Sequence, residues 1–84
     1  MNTTLEPLVL SDKISHITAV KMHVDELYER QEIFGLSLET LELTRRFYNL
    51  YTPLEKIEEI APFALNQLYS ITQHLERNLV LESK

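Results

Sequence analysis

The stretch from Thr52 to Val80 constrains this chain more than any other. Apolar residues recur there at alternating steps of three and four: Leu54, Ile57, Ala61, Ala64, Leu68, Ile71 and Leu75. Such spacing gathers side chains on one side of a helix, and a row so gathered needs another element to cover it. Thr52, Pro53, Leu54 and Glu55 open the stretch as a capping box, with proline at the first helical position, where its missing N–H costs nothing. Pro62 lies inside the pattern, so this third helix is expected to be kinked or broken there. Ala61 is a poor N-cap and the row keeps its phase across the proline, so one kinked helix is the preferred expectation. Ile60, Leu65 and Leu79 widen the row into an arc that predicts more than one neighbour.

Two helices are expected before it. Ser11 or Asp12 is read as the cap of the first, running to about Phe34. Its stripe is Leu10, Ile14, Ile17, Val20, Val24, Leu27, Tyr28 and Phe34, with Asp25, Glu29, Arg30 and Glu32 opposite. Ala19, Met22 and Ile33 fall outside the stripe. Gly35, the only glycine, is expected to end this helix in a left-handed conformation. Ser37 is the next N-cap candidate, for a helix from Leu38 to Tyr51. Leu41, Leu43, Thr40, Thr44, Phe47, Tyr48, Leu50 and Tyr51 cover half of that helix, an arc wide enough for two neighbours. The loops between helices are short, which makes successive helices close neighbours. Residues 1–84 therefore read as a single all-α domain, a small three-helix bundle, with 1–9 as a flexible arm and 82–84 as a frayed tail.

Composition narrows the function classes. One glycine and three prolines do not supply the turns of an all-β fold. With no cysteine, disulfides and thiolate chemistry are excluded. An 84-residue chain so built is marginal by itself, and the wide apolar arcs lead to the expectation of a homodimer. The net charge of −5 opposes nucleic-acid binding, which draws on a basic surface. No apolar run approaches the roughly 20 residues that span a bilayer, and the polar faces are mostly acidic, so no membrane contact is expected. The first ten residues lack the basic segment of a signal peptide, and a cytoplasmic location is expected.

Candidate chemistry is sparse. His16 and His23 are about two turns apart on one helix, or ~10 Å, too far to share a metal ion. They read as half-covered boundary residues facing Asp12 and Glu26. His74 has no second ligand near it in sequence. Asp25-Glu26 and Glu58-Glu59 are adjacent on helices and do not face each other, as an acid–base pair must. A single glycine builds no phosphate cradle. No enzyme activity, cofactor or metal is therefore expected.

The most distinctive run is Arg45-Arg46-Phe47-Tyr48-Asn49-Leu50-Tyr51. Arginine and tyrosine bring large contact area with a polar handle to interfaces. Equally, Glu42 stands at ion-pair spacing from both arginines. These features lead to a regulatory or adaptor protein acting by helix-mediated contact with another protein chain, itself or a heterologous target. The residues assigned to that interface are Arg45, Phe47, Tyr48, Tyr51, Ile60, Leu65, Leu68 and Leu79. The alternative is a helix–turn–helix transcriptional regulator turning at Phe34 to Ser37. Its recognition helix would begin Leu38, Glu39, Thr40 with Glu42 behind, and carboxylates are repelled by the phosphates lining a groove. The chain is expected not to bind heparin or non-specific duplex at low salt; retention on a heparin column would bring the DNA-binding alternative forward.

Overall fold

The computed structural model describes the backbone of residues 2–82 and the side chains of residues 11–82. Three α-helices make up the fold: α1, Asn2–Glu29, α2, Leu38–Tyr51, and α3, Pro62–Glu82. Short 3₁₀ turns at Glu32–Gly35 and Ile57–Glu59 lie in the two connections, and no strand occurs among the described residues. No described helix is long and apolar enough to cross a membrane.

α2 has the bounds its sequence predicts. Ser37 stands in extended conformation, and its hydroxyl accepts the Thr40 N–H at 3.3 Å, satisfying an N–H that has no partner within the helix.

α1 departs from expectation at both ends. Its backbone is helical from Asn2, through the segment 1–9 expected to be an arm. Pro7 forfeits one backbone bond there, a loss a 28-residue helix can absorb. The helix stops at Glu29 instead of Phe34. Arg30 N–H still reaches the Glu26 carbonyl, and Gln31, not Gly35, takes the left-handed conformation, at φ 61°. The reason lies in Ile33. A continuing helix would carry it off the apolar stripe, whereas the turn at Gln31 swings it into full burial. Phe34, placed on the stripe by its spacing, is exposed as a result.

The third helix is also corrected. It neither starts at Pro53 nor kinks at Pro62; it begins at Pro62. Thr52 keeps right-handed helical geometry at the end of α2, so it cannot cap a new helix as an extended residue would. The Leu65 N–H bonds the Ala61 carbonyl at 2.8 Å, the first helical bond of α3. Proline at that first position lacks only an N–H that would have no partner. Leu54, Ile57 and Ile60 still pack against the core, but from a connection, not a helix. The expected fraying at 82–84 concerns Ser83 and Lys84, which lie outside the described residues; Glu82 closes α3.

The helices run up, down, up. Lys13 meets Asn66 and His16 meets Glu76, so α1 and α3 are parallel. Ser37, at the start of α2, meets Glu82 at the end of α3, so that pair is antiparallel. The molecule measures 44 × 27 × 19 Å, and α1, about 42 Å long at 1.5 Å per residue, spans the long axis. The core takes Ile17, Val20 and Val24 from α1, Leu43 and Phe47 from α2, and Leu65, Leu68, Leu75 and Leu79 from α3, with Ile33 from the first connection. Thr40, Thr44 and Thr72 are buried among them. The Thr44 and Thr72 hydroxyls each donate to the carbonyl four residues earlier, at 2.9 and 2.7 Å, which removes the cost of burying them.

Ala61 is exposed and precedes the first turn of α3, so Ala61→Asp should add about 1 kcal/mol of stability by capping it. Urea denaturation measures this; an unchanged midpoint would mean that α3 does not begin at Pro62.

Candidate protein-contact surface

The aromatic run of α2 has two duties. Phe47 is fully buried and stacks on Tyr51, ring centroids 5.7 Å apart. Tyr48 turns toward α1, where its hydroxyl donates to Asp25 Oδ1 at 2.5 Å and its ring lies 5.7 Å from that of Tyr28. Lys21 bonds the other Asp25 oxygen at 2.6 Å and lies over the Tyr48 and Tyr51 rings, at 5.7 and 5.3 Å. Burial and the neighbouring Asp25 charge push the Tyr48 phenol above its ordinary range. Burial opposes ionisation of Asp25, but the bonds from Lys21 and Tyr48 outweigh it and hold the carboxyl below its usual value. Asp25, expected on a solvated face, is therefore part of a clasp between α1 and α2.

A second polar cluster ties the end of α3 to the start of α2. Glu82 accepts the Ser37 N–H at 2.7 Å, the Ser37 hydroxyl at 2.8 Å and the Thr40 hydroxyl. These bonds, the one from Thr40 first, hold the Glu82 carboxyl below its ordinary value. An anion at that place also complements the positive end of the α2 dipole.

These arrangements settle most of the expected interface within the chain itself. Phe47, Leu65, Leu68 and Leu79 are core residues and present no surface to a partner. Tyr48, Tyr51 and Ile60 are half-buried against that core. Arg45 is exposed, with its guanidinium held by Glu42 at 2.5 Å. The arcs looked too wide for one core because each helix faces two others plus a buried connection. His16 and His74 also find partners across helices, not along them. His16 Nε2 lies 2.6 Å from Glu76 and edge-on to Tyr69, and His74 lies 3.9 Å from Glu39. Among the described residues no group of three acids and histidines is placed to hold a metal ion.

What the core leaves open lies elsewhere. A trough of about 740 Å³ runs between α2 and α3. Leu50 and Ile71 form its apolar floor, and Phe63, 75% exposed, stands at one end. Asn49, Asn66, Gln67 and Ser70 provide uncharged polar edges, and Arg46 brings a guanidinium. Glu42 gives Arg46 only a loose contact of 3.7 Å, since the same oxygen is bound by Arg45. Between α1 and α3 a smaller groove of about 310 Å³ holds His23 beside Glu76 and Val80, and a third hollow near Glu32 and Glu82 shares His23 and Leu79 with it. Both of those have carboxylates in their lining; the larger trough has none.

Phe63, Leu50 and Ile71 were not singled out by sequence as surface. Their one visible signal is Phe63, a large apolar side chain immediately after Pro62 and off the apolar row. Comparison with protein-family models, curated proteins and solved structures gives no match.

Because the Glu82 and Asp25 carboxyls ionise more readily in the folded chain, their stabilisation is present above the ordinary carboxylate values of 4.5 and 3.8 and is lost as pH falls through the depressed ones. Thermal melts from neutral pH to pH ~3 should show that decline. Glu82→Gln should melt lower than the parent at neutral pH, with the gap closing in acid; a gap independent of pH would contradict the ionised Glu82 contact.

Proposed function

We propose that this chain is a small regulatory or adaptor protein that acts by offering a helix-lined surface to another protein chain, without catalysis. One observation carries the reading: Phe63 stands exposed beside an apolar floor, rimmed by carboxamides and one arginine. Large apolar side chains exposed next to a concave apolar surface mark contact sites for other macromolecules. Aromatic and arginine side chains are also the types that carry binding energy at protein interfaces.

The homodimer expected from the wide arcs loses its main motive, because the chain's own core occupies Phe47, Leu65, Leu68 and Leu79. The proposed partner is accordingly a different chain. The DNA-binding alternative has less support. The exposed residues at the start of α2 include Glu39 and Glu42, and the net charge of the chain is −5.

A photo-crosslinking phenylalanine analogue at position 63, introduced in the native host, tests the reading. Discrete protein adducts are expected at position 63, absent from the same analogue at the exposed Glu29 and abolished by Leu50→Asp. Equal labelling at the two positions would overturn it. Sedimentation equilibrium of the pure chain should give a monomer at micromolar concentration, and a dimer would return the interface to self-association.

A further inference from the structure

We infer that the trough between α2 and α3 receives an amphipathic helix of another protein that carries a carboxylate opposite Arg46. The inference rests on the protein-contact reading above and adds the shape and charge of the partner.

Shape gives the first part. The trough is open along its length, which suits a segment of chain better than an enclosed small molecule. Phe63 to Ile71 spans eight residue steps of α3, about 12 Å or two helical turns. A helix laid over that floor would set apolar anchors at i, i+3 or i+4, and i+7.

Charge gives the second. The chain has 13 acidic residues against 8 basic ones, yet no carboxylate lines this trough. Its charged lining residue is Arg46, whose contact with Glu42 is loose because Arg45 holds the nearer carboxylate oxygen. Covering a guanidinium whose one carboxylate contact is 3.7 Å long leaves most of its N–H donors without an acceptor, and a carboxylate on the covering chain supplies one. A second copy meeting trough to trough brings arginine and carboxamides but no carboxylate. A basic partner, drawn by the overall negative charge, would set like charges together at Arg46.

Two blocked synthetic helical peptides test this, identical except that one carries glutamates and the other lysines beside leucines at i, i+4 and i+7. Each is titrated into the isotope-labelled full chain at about 0.15 M salt and followed by amide chemical shifts. Long-range charge favours the lysine peptide, so a glutamate preference reports Arg46 itself. The glutamate peptide should shift Leu50, Phe63, Ser70 and Ile71 saturably and bind about fivefold tighter than the lysine peptide. Arg46→Gln should remove the preference and Arg46→Glu should reverse it, both with the parent fold retained by circular dichroism. Equal affinities, a lysine preference in the parent, shifts confined to the His23 side, or no saturable binding would each overturn the inference. None of these touches the crosslinking result at position 63, which decides the broader reading separately.

Discussion

The ridge of leucines on α3 is the contact on which the bundle depends. Leu65, Leu68, Leu75 and Leu79 are buried between α1 and α2, and α3 is the helix that packs extensively on both of the others. At roughly 1.5–3 kcal/mol for each fully buried aliphatic side chain, that ridge is a large share of what so small a core can gain. α1 and α2 meet more narrowly, through Lys21, Asp25, Tyr28 and Tyr48. Their polar clasp fixes the angle of a contact whose apolar area is limited. The Glu82 cluster does the same for the far end of α2 and α3. Polar groups thus set register where the apolar ridge alone would allow sliding.

Local chemistry was readable wherever one residue type had a single low-cost role. Ser37 is a good N-cap followed by a helix-forming run, and α2 has the predicted bounds. Pro62 was readable as an interruption but ambiguous between kink and start. The continuing apolar row favoured a kink, because Leu54 and Ile57 keep the period. Those residues are apolar for burial, and burial is also available to a connection that crosses the core. Periodicity records which side chains face the interior; it does not record the backbone that carries them.

The remaining errors have the same origin. Gly35 is the residue with least resistance to a left-handed conformation, yet Gln31 adopts it. At about 1 kcal/mol or more, the strain at Gln31 is offset by placing Ile33 in the core, a gain visible only when three helices are assembled. His16 looks along its own helix to Asp12 in sequence, but its partner is Glu76, sixty positions away. The assigned interface suffered most. Apolar residues on a wide arc look available for a partner until the fold shows that both edges of the arc are occupied.

Once the core has taken its share, what distinguishes the trough is a mismatch between neighbours. Phe63 follows Pro62, which must hold the first position of α3, so Phe63 is committed to the outer side of the first turn. There it faces Leu50 and Ile71 across a polar rim. Phe63 is 75% exposed and contributes little burial, as do Leu38 and Phe34, but unlike them it stands beside the concave floor of Leu50 and Ile71. Arg46 compounds the point. Its neighbour Arg45 holds Glu42 at 2.5 Å, so the second arginine shares that carboxylate at the longer distance of 3.7 Å and brings charge to the trough. An exposed aromatic and an under-used guanidinium on one uncovered floor are not explained by the stability of this bundle. The proposed partner would supply apolar contact and an acid together.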